Sequence, residues 1–534
     1  MCGIWAILNN LHYSTANLVD FVKRLEPRGP EYTTLQDVSG TLVTLGFTRL
    51  AINGLTPAGN QPFQDGEMYA VCNGEIYNYK ELAQRWNIPL EEGTSDCAVL
   101  PFLARRIGIT ELCRTLDGVF AFVMVDTEKE EVIVARDPYG VRPLFYGETA
   151  TGEQIFSSEL KALPRECRHV EAFPPGTWRR YKMRTGELLE SQVYHSVPHV
   201  KMAALEDEET AKKALRAALL SAVKKRLLSE RPIGALLSGG VDSSLIAAIA
   251  ARELAKEGKK LHTFSIGMPG STDLMYAQQV ADHIGSIHHN VIVKPEDFLL
   301  AIPAVIRDIE SYDITTVRAS VGNWLIGKFI KEHTDIKVVF NGDGSDEIGG
   351  GYIYFYAAPS DEEFEAESER LLHEIHMYDV LRSDRSMASH GLEARTPFLD
   401  KNVVATWRAC GTALRRPVRG KQPEKHLLRA AFKDDFYLPE AVLWRKKEAF
   451  SDGVSSTEDS WYKRCIAQAE AAGVTSAETE YIHNPPKTVE AAWYRRQFEE
   501  LYGPIAAAVI PHMWMPRWIA GAHDPSARTL KELY

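Results

Sequence analysis

The sequence has no apolar run close to the roughly 20 residues that a membrane-spanning helix requires. Its start, MCGIWAILNN, lacks a basic segment ahead of the short apolar run, so a secretory signal is not predicted. Charge of one sign is never concentrated, because the net charge of -11 is spread along the chain. These absences predict a cytoplasmic protein that binds small molecules and has no membrane or nucleic-acid partner.

Cysteine is scarce, with seven residues in 534, and no two of them form a C-x-x-C pair. Such an odd and scattered set argues against a disulfide framework or a zinc site and suits a reducing compartment. The content of 45% apolar and 25% charged residues is ordinary for soluble proteins. A chain of this length exceeds one hydrophobic core, so we expect two or three domains.

The sequence consists of two parts with different patterns of apolar residues. Residues 1–195 alternate short β-type runs such as GVFAFVMVD with glycine-rich turns, which predicts a strand-rich domain. A polar stretch follows, and we place a linker at residues 196–210 and a second domain at residues 211–534. In that second domain apolar runs such as IGALL and IKVVF alternate with helical patterns, which predicts a doubly wound parallel α/β sheet with ligands at the carboxyl ends of its strands.

The string SGGVDSS at 238–244 follows the run IGALL and leads directly into an apolar helix. Glycines let backbone N–H groups approach an anion, and the helix N-terminus adds a favourable field. The string has no lysine and is therefore not a Walker P-loop. It resembles the pyrophosphate-binding loop (PP-loop) of the ATP pyrophosphatase superfamily, which implies cleavage of ATP between the α- and β-phosphates.

A second cluster, NGDGSDE at 341–347, follows the run IKVVF. Its carboxylates suit coordination of a hard cation, whereas most acidic clusters are solvated turns. Position after a buried strand favours the functional interpretation, because parallel strands would bring this cluster to the same sheet edge as SGGVDSS.

Cys2 directly follows Met1, so removal of the methionine would leave a thiol beside a free α-amino group. That amine could act as the base for its own side chain. The strings MCGI at 1–4, RGP at 28–30, RLAI at 49–52, NGEIYN at 73–78 and SD at 95–96 resemble those of class II glutamine amidotransferases. The resemblance implies an Ntn-hydrolase-like αββα sandwich in which Cys2 forms a thioester with glutamine.

The same resemblance implies that Asn73 and the Gly74 N–H stabilise the oxyanion. Arg49 would bind the α-carboxylate of glutamine, and Glu75 and Asp96 would pair with its α-ammonium group. The remaining predicted glutamine contacts are Leu50, Ala51, Ile52 and Asn53.

A glutaminase-like half followed by an ATP pyrophosphatase-type half resembles glutamine-hydrolysing asparagine synthetases, from residue 1 to about residue 505. The strings ESYDITTVRAS at 310–320, GLEARTPFLD at 391–400 and RKKEAFSDG at 445–453 carry the resemblance. It implies glutamine, aspartate and ATP as substrates, Mg²⁺ as cofactor, a β-aspartyl-AMP intermediate, ammonia transfer through a sheltered interdomain passage, and a homodimer.

By this resemblance Asp242 and Asp346 would hold magnesium, Lys447 would neutralise the phosphates, and Asp343 and Arg318 would also serve catalysis. Thr315, Thr316 and Arg318 would lie near the aspartate. The predicted ATP contacts are Leu237, Ser238, Gly239, Gly240, Asp242, Ser243, Ser244, Ile266, Asn341 and Gly342.

The sequence departs from this family at Asn341, Asp343 and Gly349, where serine, glutamate and an aromatic residue are usual. The loop EPRGPE at 26–31 also lacks the histidine that precedes the arginine and has glutamate for aspartate, which predicts weaker glutamine affinity. Two alternatives stay open: a β-lactam-forming or other amide-forming PP-loop ligase, and an inactive homologue that acts as a binding or regulatory protein.

Overall fold

The computed structural model describes residues 1–197, 205–456, 458–474, 481–519, 521 and 524–530. Its amino-terminal part contains two antiparallel sheets of six strands each. The first comprises β1 (Gly3–Leu8), β2 (Tyr32–Asp37), β3 (Thr44–Arg49), β8 (Phe145–Thr149), β9 (Gln154–Ser157) and β10 (Cys167–Ala172). The second comprises β4 (Phe63–Asp65), β5 (Met68–Ile76), β6 (Gly118–Asp126), β7 (Glu131–Arg136), β11 (Thr177–Lys182) and β12 (Leu188–Val193).

The two sheets pack face to face, and helices cover their outer faces. Strand β5 shows why, because Val71 points into the core between the sheets while Ala70 and Cys72 face the helical side. Helix α1 (Thr15–Lys23) covers the first sheet, and α2 (Tyr79–Arg85), α3 (Val99–Ile107) and α4 (Ile109–Thr115) cover the second. The αββα sandwich is therefore confirmed.

The carboxyl-terminal part is built on a parallel sheet in the order β15-β14-β13-β16-β17. The strands are β13 (Ile233–Leu236), β14 (His262–Gly267), β15 (Ile287–Ile292), β16 (Val338–Phe340) and β17 (Glu393–Arg395). Helices α5 (Glu208–Lys225) and α6 (Val241–Ala255) contribute to the core on one face, and α8 (Pro295–Ile309) and α9 (Ile314–His333) to the core on the other. The doubly wound parallel sheet is confirmed.

The remaining helices complete the carboxyl-terminal part. They are α7 (Thr272–Ile284), α10 (Ser345–Gly349), α11 (Asp361–Glu374), α12 (Asp379–Ala388), α13 (Lys401–Ala409), α14 (Thr412–Arg415), α15 (His426–Ala431), α16 (Glu440–Leu443), α17 (Phe450–Gly453), α18 (Trp461–Ala471) and α19 (Val489–Tyr502). Within the described ranges, none of these helices or the earlier ones combines the length and apolar character needed to cross a bilayer.

The two parts are joined between strand β12 and helix α5. Strand β12 ends at Val193 and α5 begins at Glu208, with Asp207 capping the helix by accepting the Thr210 N–H at 2.8 Å. Residues 198–204 of the predicted linker, 196–210, lie outside the described residues.

Candidate active sites

The amino-terminal cavity, beside Cys2 and strands β3 and β5, measures about 20 Å³. Most of the predicted glutamine-binding residues line it: Cys2, Arg49, Leu50, Ile52, Asn53, Gly74, Glu75 and Asp96. Ala51 and Asn73 are buried next to these residues in the chain but are not part of the lining. Strands from both sheets of the sandwich thus bring distant motifs together around one thiol.

Burial controls the protonation of Cys2 and of the terminal amine. It raises the pKa of the Cys2 thiol to about 11, so the thiol is protonated at neutral pH and needs a base to become a nucleophile. The same burial lowers the pKa of the Met1 α-amino group to about 6. A terminal amine in this environment is therefore largely neutral at pH 7 and can accept a proton.

Asn73 lies in β5 and is fully buried. Neither its side-chain oxygen nor its side-chain nitrogen has a hydrogen-bond partner among the described residues. An unpaired buried polar group costs about 1–3 kcal/mol. The Asn73 amide is therefore free to donate to a reacting oxygen beside Cys2.

Two buried carboxyl groups give the amino-terminal cavity an excess of acid. Burial and the nearby Glu393 raise the pKa of Asp96 to about 6, although the Ile76 N–H and the Ser95 hydroxyl donate to its carboxylate. Burial and neighbouring Glu393 and Asp96 also raise the pKa of Glu75. A substrate cation would relieve this repulsion.

Glu393 and Arg395 of β17, in the carboxyl-terminal part, reach this amino-terminal site. Glu393 lines the cavity, and Arg395 Nη2 lies 3.3 Å from Glu75 Oε2. The Asn53 side chain donates to the same Glu75 oxygen at 2.7 Å. Glu393 and Arg395 had no predicted role, although both lie in the string GLEARTPFLD.

Three further charged residues of the amino-terminal part already have hydrogen-bond partners. Arg49 donates to Thr56 O at 2.8 Å and to Asn60 Oδ1 at 2.7 Å. Arg28 lies outside the cavity lining and donates to Cys2 O at 2.9 Å. Glu31, the departure from aspartate, accepts the Ala51 N–H at 2.6 Å and so supports the loop that follows β3.

The carboxyl-terminal cavity, of about 170 Å³, lies at the carboxyl ends of β13, β14 and β16. Its lining includes most of the residues predicted for ATP, aspartate, magnesium or catalysis in this half: Leu237, Ser238, Gly240, Asp242, Ser243, Ile266, Thr315, Asn341, Gly342, Asp343, Asp346 and Lys447. Gly239, Ser244, Thr316 and Arg318 are not in the lining. The two glycine-rich clusters do meet at one edge, because β13 and β16 are parallel neighbours.

Glycine is required at two points of this edge. Gly239 has φ +71°, and a Cβ there would lie 2.4 Å from Tyr276 Cβ. A Cβ at Gly342 would lie 2.6 Å from Ser243 N, so the two clusters approach closely only without a side chain. Helix α6 begins immediately after, at Val241, and its N-cap residue Gly240 provides no side-chain cap, which leaves the first N–H groups of the helix available to an anion.

Two lysines and two carboxylates form an ionic network in the carboxyl-terminal cavity. Lys425 Nζ lies 2.5 Å from Asp242 Oδ2 and 2.7 Å from Asp346 Oδ1, and Lys447 Nζ lies 2.6 Å from Asp346 Oδ2. Burial opposes ionisation of Asp346, but the lysines outweigh it and hold its pKa below the ordinary value. Asp346 raises the pKa of Lys447 in turn, against the effect of burial.

Lys425 was not predicted from the sequence. It is buried, and its backbone has φ +54°, a strained conformation for a lysine that is typical of functional positions. Its ammonium group bridges Asp242 and Asp346, so these two carboxylates can share one cation. The described residues contain no group of three or more histidine, cysteine or acidic side chains that could hold a metal alone. A divalent ion here would need phosphate oxygens as further ligands, which Mg²⁺ commonly uses.

The three predicted aspartate contacts have different surroundings. Thr315 lines the cavity, and its buried hydroxyl has no hydrogen-bond partner among the described residues. Thr316 instead donates to Asp313 at 2.8 Å at the start of α9. Arg318 is buried against Glu490 and Asp524, at 2.6 and 2.7 Å.

The departures at 341, 343 and 349 have structural partners. Asn341 Nδ2 donates to Ser383 Oγ at 2.5 Å, and Asp343 Oδ1 lies 3.0 Å from Arg382 Nη2. A Cβ at Gly349 would lie 2.7 Å from the ring of Trp407, which is fully buried. The tryptophan therefore fills space that an aromatic residue at 349 would need.

Comparisons with known proteins cover nearly the whole chain. The family described as glutamine amidotransferase domain matches residues 1–216, and the family described as asparagine synthase matches residues 214–365 and 356–507. The chain is similar to human asparagine synthetase [glutamine-hydrolyzing], at 42% identity over 99% of this chain and 98% of that one. It is 42% identical to the chicken protein of the same name, over 99% of both chains.

Proposed function

The chain belongs to the family of glutamine-hydrolysing asparagine synthetases, and from that membership we propose that it converts L-aspartate, L-glutamine, ATP and water into L-asparagine, L-glutamate, AMP and diphosphate. The observation that carries the proposal is the pairing of two prepared sites in one chain. One surrounds a buried thiol, and the other joins a phosphate-binding loop to a lysine and carboxylate network.

In the amino-terminal cavity we assign Cys2 as nucleophile after removal of Met1. The freed α-amino group takes the thiol proton while sulfur attacks the glutamine carboxamide. The unpaired Asn73 amide and the Gly74 N–H would hold the negative oxygen. The amine then protonates the leaving ammonia, and water cleaves the thioester to release glutamate.

The residues around Cys2 support recognition of the amino-acid end of glutamine. Asp96 and Glu75 are buried close to other carboxyl groups, so they favour binding of an α-ammonium group. The Arg49 guanidinium would bind the α-carboxylate of glutamine. Its N–H groups, which now donate to Thr56 and Asn60, would then donate to that carboxylate. Leu50, Ala51, Ile52 and Asn53 complete the proposed glutamine site.

Strand β17 supports direct transfer of ammonia between the cavities. Glu393 lines the amino-terminal cavity, while the Arg395 carbonyl accepts the N–H of Asn341, which lines the other one, at 3.1 Å. Residues in a strand are spaced about 3.3 Å apart, so a short strand spans this separation. We propose that ammonia crosses this buried interface, where it avoids protonation by water.

In the carboxyl-terminal cavity we assign the 238–244 loop and the start of α6 to the phosphates of ATP. Lys447 would neutralise the departing diphosphate. The β-carboxylate of aspartate attacks the α-phosphorus, diphosphate leaves, and ammonia then displaces AMP and loses a proton. The free Thr315 hydroxyl would contact the aspartate.

Asp242 and Asp346 fit Mg²⁺, since both already contact a single cation, Lys425 Nζ. When bound, the ion would supply charge neutralisation at the phosphate oxygens. Lys425 would then orient the two carboxylates from the protein side. We also propose residues 1–195 and 211–534 as the two domains and a cytoplasmic location, both on the basis of the sequence patterns, and a homodimer on the basis of the family resemblance.

The deciding experiment incubates the purified protein with ATP, Mg²⁺, carboxylate-¹⁸O aspartate and either glutamine or ammonia. Mass spectrometry should find asparagine together with ¹⁸O-labelled AMP. Formation of ADP, or unlabelled AMP, would contradict the proposed adenylation. Light scattering tests the homodimer, and intact mass tests the loss of Met1.

A further inference from the structure

The lysine loop, residues 445–456, forms part of the wall of the carboxyl-terminal cavity. Residues 445–451 line that cavity, and Lys447 lies among them. Its regular structure is limited to the four residues of α17. Besides backbone hydrogen bonds such as that from the Met268 N–H to Val454 O at 2.7 Å, side-chain contacts from elsewhere in the chain hold this loop.

Arg528 makes most of the contacts that reach this loop from near the carboxyl end of the sequence. Its guanidinium donates to Glu448 Oε1 at 2.8 Å, to Ser455 O at 3.0 Å and to Ser456 O at 2.7 Å. Its Nη1 also lies 3.2 Å from Ser460 Oγ. A planar guanidinium with five donors suits this fan of acceptors better than an ammonium group does.

Glu448, the neighbour of Lys447, is held from two sides. Arg528 bonds one carboxylate oxygen, and the other accepts the Thr272 hydroxyl at 2.7 Å and lies 3.1 Å from Arg445 Nη2. Thr272 is the first residue of α7. The loop is thus fixed between a helix start and Arg528.

Two further residues near Arg528 bind the same region. Ser526 Oγ donates to Asp452 Oδ1 at 2.7 Å. The Asp524 carboxylate accepts from Arg318 Nη1 at 2.9 Å and Nη2 at 2.7 Å. We call Asp524, Ser526 and Arg528 the clasp, because together they join the lysine loop to helix α9.

The clasp also clarifies what Arg318 can do. Glu490 already bonds two nitrogens of its guanidinium, at 2.8 and 2.6 Å, so Arg318 serves two carboxylates. A third carboxylate from substrate would meet net negative charge. Arg318 lies three residues after Thr315 in α9, so its contacts fix the helix that presents Thr315 to the cavity.

We propose that the clasp positions residues for the adenylation step. Arg528 fixes Lys447 through the neighbouring Glu448, and Asp524 fixes Thr315 through Arg318 of the same helix. This inference rests on the proposed function, which places Lys447 at the phosphates and Thr315 at the aspartate. A misplacement of about 1 Å at such a site lowers the rate by about a hundredfold. Arg528 and Asp524 touch no substrate in this scheme.

The first test compares Arg528→Ala with Arg496→Ala, a control at an exposed arginine of α19. Aspartate-dependent ATP–diphosphate exchange and glutaminase activity are measured on both variants. We expect kcat of exchange to fall about tenfold to a hundredfold in Arg528→Ala, with glutaminase activity within about twofold of the control. Arg528→Lys should recover part of the loss.

A double-mutant cycle separates positioning from a general loss of stability. If Arg528 acts through Glu448, the losses in Arg528→Ala and Glu448→Ala should not add in the double variant. Amide hydrogen exchange over residues 445–456 should rise in Arg528→Ala and stay unchanged in Arg496→Ala. Amide hydrogen exchange needs no catalysis, so it tests the clasp even if the wild-type protein makes no AMP.

Unchanged diphosphate exchange in Arg528→Ala would overturn the inference, as would additive losses in the cycle. Should Arg528→Ala fail to fold, Ser526→Ala decides, because it removes one hydroxyl contact with Asp452. Reduced ATP–diphosphate exchange with intact glutaminase activity in that variant supports the clasp, and equal or no loss of the two activities contradicts it. Wild-type product analysis tests the proposed function separately.

Discussion

Asp96 and Asp346 are both buried in cavities, yet their pKa values move in opposite directions. Burial and the nearby Glu393 raise the pKa of Asp96 to about 6. Burial acts in the same sense on Asp346, but Lys425 and Lys447 outweigh it and lower the pKa. The residue type is the same in the two sites, and the charges around it decide the outcome.

The contrast indicates what each cavity is prepared to receive. The amino-terminal cavity gathers carboxyl groups that repel one another, so it favours a substrate that brings a cation, such as the α-ammonium of glutamine. The carboxyl-terminal cavity already holds two ammonium groups against its carboxylates, so it favours a substrate that brings phosphates. The carboxyl groups around Asp96 thus suit a cation, and the lysines around Asp346 suit a phosphate.

The largest expected effect is the loss of glutamine-dependent activity at the amino-terminal cavity while the ammonia-dependent activity of the carboxyl-terminal cavity is retained. Cys2→Ala should lower glutamine-dependent asparagine synthesis by at least about 10⁴-fold, the scale at which loss of a nucleophile acts. Ammonia-dependent synthesis should stay within about twofold, because no atom of Cys2 takes part in adenylation. Loss of both activities in a folded variant would contradict the assignment of two independent sites.

The converse change should spare the thiol chemistry. Lys447→Ala removes a cation from the network around Asp346, and we expect ATP–diphosphate exchange to fall by about 10²- to 10³-fold. Glutaminase activity should be unchanged. Lys463→Ala, at an exposed position of α18, is the control. Equal rates in the two variants would remove Lys447 from the proposed mechanism.

Sequence patterns predicted the features of the two sites that depend on residues close together in the chain. The two strand-loop clusters at 238–244 and 341–347 meet because β13 and β16 are parallel, as the alternation of strands and helices implied. Strand β2 lacked a clear signal because it lies at a sheet edge and is largely exposed. Strand β17 has only three residues, too few for any periodicity.

Contacts between residues far apart in the chain could not be predicted in this way. Lys425 belongs to no motif, and it reaches Asp242 across 183 positions. The contact between Arg318 and Asp524 spans 206 positions. Glu393 and Arg395 act across the interface between the two parts. Such contacts depend on tertiary packing, which leaves no spacing rule in one sequence.

A smaller effect should appear when the pH of the glutaminase assay is lowered. Protonation of Asp96 below about pH 6 removes the charge that would pair with glutamine, so glutaminase kcat/KM should fall as pH falls below that value. The slope should reach about tenfold per pH unit for a single proton. Asp346 should add no pH dependence to ATP–diphosphate exchange in the same window, because its pKa is lowered and its carboxylate stays ionised.

Asp96→Asn is the control for this pH dependence, since it removes the titrating group while keeping a similar shape. Its low glutaminase activity should lose the Asp96 contribution and keep only the fall caused by protonation of the terminal amine, because burial also lowers the pKa of that amine to about 6. Because burial raises the pKa of Asp96 in the folded protein to about 6, above its ordinary value of 3.8, the wild-type free energy of unfolding should decrease as pH rises between these values. The Asn variant should lose this Asp96 contribution, as thermal unfolding across the range would measure.

The smallest effect concerns Asp343, where the family usually has glutamate. Asp343 is anchored to Arg382, which also lies 2.9 Å from Asp379, so its carboxylate is held at the cavity wall. One extra methylene would carry the carboxylate further toward the adenylation centre without removing the partner. Asp343→Glu should therefore raise aspartate-dependent ATP–diphosphate exchange by about threefold, a change of under about 1 kcal/mol in the barrier.

Asp361→Glu, at the exposed start of α11, is the matched control and should change neither activity. Glutaminase activity should also be the same in both variants, because position 343 lines only the carboxyl-terminal cavity among the two described here. A tenfold loss of diphosphate exchange in Asp343→Glu would mean that Arg382 and the shorter carboxylate are adjusted to each other. In that case the shorter side chain would be an adaptation of this site, and the longer one would disturb the Arg382 pair.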